Sequence, residues 1–242
     1  MKKLPPLLRI ALVVAALLPA RAALADDGLR VGVFVETTDA GSKLAHPAPD
    51  HPVYYEPFII GYRELGGVLT YWQRPPPPPD AVKHALIQAL AAQGYQVAPP
   101  QIPASLVLVF RWGIVDPAMQ PLLDPKDEAV DRIEPVNEDT MLGLLVGEPW
   151  REIYPTDNPD AREFIANLHA EESSRYFLII SALDARAFAQ HRQVLLWRAH
   201  VTTLYWGHYF DQVLGTLVTT SAPLLGTRMA RPQMLTVPAS PL

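Results

Sequence analysis

The 242-residue chain contains no cysteine, so disulfide bonds, thiol nucleophiles and thiolate metal ligands are excluded. The sequence also lacks the P-loop pattern, the Gly-x-Gly-x-x-Gly pattern and the Gly-x-Ser-x-Gly nucleophile elbow. These absences argue against a nucleotide hydrolase, a dinucleotide-dependent enzyme and a hydrolase built on such an elbow. Stability must come from a buried core, and 49% of the residues are apolar, which is enough to form one.

Basic residues are also scarce, with 20 Lys and Arg against 25 Asp and Glu, giving a net charge of −5. The basic residues form no run that could follow a phosphate backbone. Four of them lie in the first 25 residues, so the chain after residue 25 is more acidic still. This balance argues against nucleic acid and against anionic membrane surfaces as partners.

The first 25 residues have the three zones of a secretory signal peptide. Lys2, Lys3 and Arg9 precede a short apolar stretch over 10–18, and Ala23 and Ala25 stand at the −3 and −1 positions before Asp26. The stretch is shorter than the about 20 residues that span a bilayer. A retained membrane anchor is the alternative, but the small-residue cleavage site that follows favours removal after Ala25. No later segment is long and apolar enough to span, so we expect a soluble periplasmic or secreted protein.

The remaining sequence predicts an α+β fold. We expect strands over 29–36, 54–62, 68–72, 106–112, 176–183 and 194–206, and helices over 80–94, 158–172 and 210–218. Asp80 is the expected N-cap and Gly94 the expected left-handed C-terminal residue of the first helix. The order predicts a two-layer sandwich in which helices pack on one face of a mixed, mostly antiparallel sheet. Residues 26–230 are expected to form a single domain, and 231–242 a flexible tail.

Histidines and carboxylates offer only weak candidates for a metal site. None of the seven histidines is spaced i, i+4 from another. His46, Asp50 and His51 share a proline-rich loop, and the acidic segment 124–139 is rich in oxygen ligands without the regular alternation of a calcium loop. Ordinary solvated loops are the favoured interpretation of both, and His200 and His208 are expected to be structural. We therefore assign no catalytic residue, no metal ligand and no cofactor.

Aromatic residues are the remaining feature, and two groups of them can be distinguished. The early group contains Tyr54, Tyr55, Phe58, Tyr62, Tyr71 and Trp72, and the late group contains Trp197, Tyr205, Trp206, Tyr209 and Phe210. Aromatic rings on strands more often fill a core than line a binding surface. If some are exposed, Tyr205, Trp206 and Tyr209, which surround Gly207, are the candidates for an interaction surface.

From Pro79 onward the chain resembles a class of uncharacterised bacterial envelope proteins, many of them lipoproteins. The resemblance is carried by Gly94-Tyr95, by the strand over 106–110, by Asp184-Ala185 and by Leu195-Leu196-Trp197-Arg198. It implies a small periplasmic α/β domain of unknown role and supplies no catalytic residue. This chain lacks the lipid-attachment cysteine of the class, which puts membrane tethering in doubt.

Three functions stay open at this point. The favoured one is a non-catalytic envelope protein that acts through protein or surface contacts, which predicts an exposed apolar patch. The alternative is a periplasmic binder of a small molecule or carbohydrate, which predicts a pocket with convergent polar groups. A hydrolase is less favoured, since it needs histidine and carboxylate groups gathered in one cleft.

Overall fold

The computed structural model describes residues 28–66, 76–116, 133–134, 174–204 and 209–238. Strands β1 to β8 span, in order, Leu29–Thr37, Val53–Gly66, Tyr95–Val97, Leu106–Asp116, Ile133–Glu134, Arg175–Asp184, Leu195–Leu204 and Gln233–Val237. Helices α1 to α3 span Pro79–Ala92, Ala185–Ala189 and Phe210–Ser221, with short 3₁₀ turns at Gly41–Lys43 and Ala222–Leu224. None of the helices in these ranges has the length and hydropathy that crossing a bilayer would require.

The strands form one mixed sheet in the order β3-β2-β4-β6-β7-β1-β8, with β5 also pairing with β2. β2 runs parallel to β3, β4 and β5, whereas the pairs β4–β6, β6–β7, β7–β1 and β1–β8 are antiparallel. The predicted α+β class with a mixed sheet is therefore confirmed, and the two strands predicted over 176–183 and 194–206 pair as antiparallel neighbours.

The core is one cluster that contains alternate strand residues together with buried apolar residues of α1 and α3. Leu86 and Leu90 of α1 and Leu217 of α3 are fully buried in the same cluster as Trp112 of β4 and Trp197 of β7. The burial of these residues follows from the sequence pattern. Period-2 alternation in a strand and i, i+4 spacing in a helix both place apolar side chains on one side. Burying one large apolar side chain contributes about 1.5–3 kcal/mol.

Helix α1 begins differently from the sequence prediction. Pro78 occupies the N-cap position without a side-chain cap, and Pro79 opens the first turn, so the prediction that Asp80 caps the helix is wrong. A proline suits this place because its fixed φ matches the helix and its missing N–H would be unpaired there anyway. Gly94 has φ of 85°, as predicted for the residue after the helix. A Cβ at Gly94 would lie 2.5 Å from the backbone of Ala48, which reinforces the need for glycine.

Two strands differ from their predicted bounds. β2 begins at Val53 and continues past Tyr62 to Gly66, whereas a strand over 54–62 was predicted. The flexible tail predicted over 231–242 is wrong for residues 233–237, because they form β8 and pair with β1. The folded unit therefore continues past residue 230.

Several predictions fall outside the described residues. They are the signal peptide with its cleavage residues Ala23, Ala25 and Asp26, the strand over 68–72, the helix over 158–172, and most of the acidic segment 124–139. Tyr205, Trp206 and His208 lie outside them as well.

Candidate functional site

A polar cluster lies on the sheet face opposite the core, and it consists of Glu36, Ser181, Arg198 and His200. Strand register creates it, because Glu36 of β1 stands opposite Arg198 of β7, which stands opposite Ser181 of β6. The Arg198 guanidinium donates from Nη1 to Glu36 Oε1 at 3.3 Å and from Nε to Ser181 Oγ at 3.0 Å. His200 lies two residues further along β7 on the same face, and its Nε2 is 3.1 Å from the same Glu36 oxygen.

The His200 ring is held in a defined orientation. An ionised carboxylate can only accept hydrogen bonds, so Nε2 of His200 carries the proton that it shares with Glu36. Phe34, two residues before Glu36 on β1, stacks on the imidazole with ring centroids 6.4 Å apart and planes inclined by 27°. His200 is therefore a satisfied structural group, held by its hydrogen bond to Glu36 and its ring contact with Phe34.

Burial and charge act on Glu36 in opposite directions. Burial by itself raises the pKa of this carboxyl, but hydrogen bonding to His200 and the positive charges of His200 and Arg198 outweigh it, so the pKa lies below its ordinary value. The side chains of Glu36 and His200 are 11% and 4% exposed, whereas that of Arg198 is 41% exposed. Arg198 is thus the accessible member of the polar cluster.

The bonds within the polar cluster limit its chemistry. The hydroxyl of Ser181 is bound by a guanidinium, which stays protonated in proteins and cannot act as a general base. Ser181 is therefore not set up as a nucleophile by this contact. What the arrangement does provide is a half-exposed guanidinium, fixed at two of its nitrogens, that can donate to a polar ligand.

The lowered pKa of Glu36 makes stability depend on pH. As pH falls through 4.5, the unfolded state takes up a proton before the folded state does, so stability from this group is present above that range and lost below it. We expect Glu36→Gln to cost about 1–2 kcal/mol near pH 7. The cost should shrink towards zero as pH falls from 4.5 through the folded pKa.

Urea unfolding of the unmodified protein and of Glu36→Gln, at a series of pH values between 7 and 3, measures the difference in their free energies of unfolding. Glu56→Gln, at an exposed position of β2, is the matched control and should change stability by no more than about 0.5 kcal/mol. A cost at Glu36 that stays constant over the whole range would contradict the assignment.

A second feature of this face is an apolar patch formed by Phe58, Ile60 and Phe188. Phe58 and Ile60 of β2 are 49% and 43% exposed, and Phe58 stands opposite the half-buried Val109 of β4. The ring of Phe188, on α2, meets that of Phe58 edge to face with centroids 6.2 Å apart. A bulge in β2 between Ile59 and Gly61 leaves Ile60 without a partner in β4.

The residues singled out from the sequence do not gather into one site. Tyr209 is 38% exposed at the N-cap of α3, while its expected companions Tyr205 and Trp206 lie outside the described residues. His51 contacts Asp50 at 3.1 Å, but their side chains are 82% and 76% exposed. Within the described residues, no three His, Asp or Glu side chains are grouped so that they could hold a metal ion.

Sequence reasoning missed both features of this face for different reasons. Phe58 was recognised only as one of many aromatic residues. Glu56, Phe58 and Ile60 are alternate residues of one strand and so share a face, and the charged Glu56 was the available signal that this face meets solvent. Glu36 and Arg198 are 162 residues apart, and no local pattern connects them.

The fold and these two features define a mixed-sheet α+β protein with a polar cluster and an exposed apolar patch on the sheet face opposite the core. No family model and no curated protein matches the chain. Among solved structures, it is similar to the PelC dodecamer from Paraburkholderia phytofirmans, with 13% identity, a TM-score of 0.35, and coverage of 82% of this chain and 99% of that one. A point variant of the same dodecamer gives 11% identity, a TM-score of 0.35, and coverage of 81% and 99%.

Proposed function

We propose that this protein is exported to the bacterial envelope and acts there, without catalysis, by binding another envelope protein through the apolar patch. The leader-like first 25 residues and the resemblance to uncharacterised envelope proteins support the location. The exposure of Phe58 and Ile60, 49% and 43%, is the observation that carries the contact. Large apolar side chains clustered on a surface are typical of places where proteins meet.

The composition of the apolar patch fits a protein partner. Phe58 and Phe188 supply two rings in edge-to-face contact, and aromatic rings are common at the energetic centre of interfaces. Both lie on regular elements, β2 and α2, so the patch is presented by backbone that is already ordered. The partner should offer a complementary apolar surface that covers these rings.

We expect the double variant Phe58→Ser, Ile60→Ser to weaken binding of that partner by tenfold or more, because each truncated interface anchor costs about 1–2 kcal/mol or more. The partner is first captured from an envelope extract of the host on the unmodified protein and identified by mass spectrometry. Its affinity for each variant is then measured with purified proteins.

The matched control is Leu44→Ser, Ile102→Ser, since these side chains are 45% and 38% exposed but lie in loops outside the apolar patch. The control should bind like the unmodified protein. Equal affinity of the unmodified protein and the Phe58, Ile60 variant, with both proteins folded, would contradict the proposal.

Binding of a small molecule or carbohydrate is the second candidate, and the polar cluster favours it. Arg198, 41% exposed and fixed by Glu36 and Ser181, can donate to a hydroxyl or carboxylate of such a ligand. Under this alternative a ligand would co-purify with the protein and be lost from Arg198→Ala, whereas the Phe58, Ile60 variant would retain it. A hydrolase is the third and least favoured candidate.

The same proposal includes a two-layer arrangement of the domain. Buried residues of α1 and α3 share one core cluster with alternate residues of β1, β4, β6 and β7, which supports helices packed on that face of the sheet. The opposite face, with the polar cluster and the apolar patch, is then the functional one.

A further inference from the structure

Strand β8 ends the sheet and pairs, within the described part of the chain, only with β1. Its five residues, Gln233–Val237, contain no charge and no proline, and their register with β1 is continuous. Proteins commonly protect an edge strand with charges, an internal proline or a bulge, because its free backbone groups can pair with another strand. β8 has none of these protections.

Two hydrogen bonds show which residues of β1 face β8. The carbonyl of Arg30 accepts from the Thr203 hydroxyl of β7 at 2.9 Å, whereas the carbonyl of Val35 accepts from the backbone N–H of Met229, on the β8 side. Backbone groups of successive strand residues alternate in direction, so odd-numbered residues of β1 face β8.

The same alternation identifies the free groups of β8. Its residues opposite the odd-numbered residues of β1 are Gln233, Leu235 and Val237, so their backbone groups point inward to β1. The N–H and C=O of Met234 and Thr236 therefore point outward at the edge. Pro232 and Pro238, which flank the strand, share the outward direction and supply no N–H. The outward N–H donors of this edge are thus limited to those of Met234 and Thr236, while the two prolines can only accept through their carbonyls.

We propose that β8 pairs with β8 of a second copy of this chain, antiparallel and about a two-fold axis, with Leu235 opposite the partner's Leu235. In this register Met234 stands opposite the partner's Thr236, and Thr236 opposite the partner's Met234. Four hydrogen bonds form, and they satisfy every outward group of both strands between the flanking prolines. The strand brings no charge to the junction, so a copy of itself meets no repulsion.

A second copy is a better fit than an arbitrary strand because the edge is self-complementary. The outward N–H groups, those of Met234 and Thr236, lie symmetrically on either side of Leu235, so the two-fold register leaves no outward N–H of the strand unpaired. The flanking prolines donate no hydrogen bond, so the donors of the ladder are confined to the five residues of the strand.

The chain contains no cysteine, which allows a direct test of the register. Directly opposed residues between hydrogen-bonded pairs have Cα atoms about 4.5 Å apart, within the range that a disulfide spans. Leu235→Cys should therefore form an intermolecular disulfide on mild oxidation. Thr236→Cys is the matched control and should remain reduced. In the proposed register the two residues at position 236 lie diagonally across the pair, with Cα atoms more than about 7 Å apart.

Sedimentation velocity of the full chain, expressed with its own leader and recovered from the envelope, measures the assembly. We expect a dimer that Thr236→Lys weakens by about tenfold or more, since a charge at the edge opposes strand pairing, while Thr236→Val leaves it unchanged. Thr236 is exposed, so the lysine variant should fold, and circular dichroism checks this.

A monomeric unmodified protein with no disulfide at Leu235→Cys would overturn the proposal. A dimer that survives Thr236→Lys and yields no such disulfide would assign association to another surface and overturn it equally. A complex with a different protein, lost on Thr236→Lys, would assign the edge to that protein's strand instead of to a second copy. The double variant Phe58→Ser, Ile60→Ser should still dimerise, which separates this proposal from the proposed function.

Discussion

Trp197→Ala is expected to lower the free energy of unfolding by about 3–5 kcal/mol, the usual cost of deleting a buried aromatic side chain. Trp197 is 2% exposed on the core face of β7. Its ring meets that of Tyr95 edge to face with centroids 6.0 Å apart, which ties β7 to β3 at the far side of the sheet. Alanine would leave a cavity and lose this ring contact. It would also remove part of the packing around the turn at Gly226, since both rings border that glycine.

Denaturant unfolding followed by circular dichroism measures this effect. Arg186→Ala, at an exposed position of α2, is the control and should change stability by no more than about 0.5 kcal/mol. A loss below about 1 kcal/mol at Trp197 would mean that the side chain is not buried as described.

Gly113→Ala is expected to be strongly destabilising, although it adds only a methyl group. A Cβ at Gly113 of β4 would lie 1.8 Å from the carbonyl oxygen of Arg63, its register partner in β2. That oxygen belongs to backbone and cannot rotate away, so β2 and β4 would have to separate locally. We expect a loss of more than about 4 kcal/mol, or no folded protein at all.

Gly32→Ala provides a matched control in the same transverse row of the sheet. The register runs from Gly113 through Phe177 and Thr202 to Gly32, so both glycines present the same face. A Cβ at Gly32 would meet side-chain atoms instead, the Thr202 methyl at 2.9 Å and the Met234 sulfur at 3.2 Å. The control should lose only about 1–3 kcal/mol. Equal losses in the two variants would contradict the close β2–β4 approach.

Local sequence patterns predicted those elements that are dictated by local physics. The apolar run that begins at Leu106 is a strand, and the i, i+4 spacing of Val82, Leu86 and Leu90 marks helix α1. Gly94, after that helix, has the positive φ that its position demands. In each case the residue types and their spacing carry the whole signal.

Other parts of the fold depend on contacts between distant residues. β8 has only five residues between two prolines, so its sequence alone resembles a loose tail, and pairing with β1 is what makes it a strand. The parallel alignment of β2 with β4 also depends on the chain crossing over through α1 and β3. Neither choice is encoded in a local pattern.

The polar cluster and the apolar patch follow the same rule. Glu36 and His200 are 164 residues apart and meet only because β1 and β7 pair in one register. Phe58 and Phe188 meet because α2, which follows β6, contacts β4, the strand next to β2. A one-residue shift of β1 would move Glu36 to the core face, and a one-residue shift of β2 would do the same to Phe58, so each shift would abolish one of the two features.

Site-specific photo-crosslinking in host cells tests the central claim most directly. A photoreactive amino acid is placed at position 58 in the apolar patch or, as the control, at position 44, where the native side chain is similarly exposed at 45%. We expect position 58 to yield an adduct with one envelope protein in cells, and position 44 to yield none of that adduct. Absence of any adduct at position 58, or equal adducts at both positions, would contradict a protein-binding role for this surface.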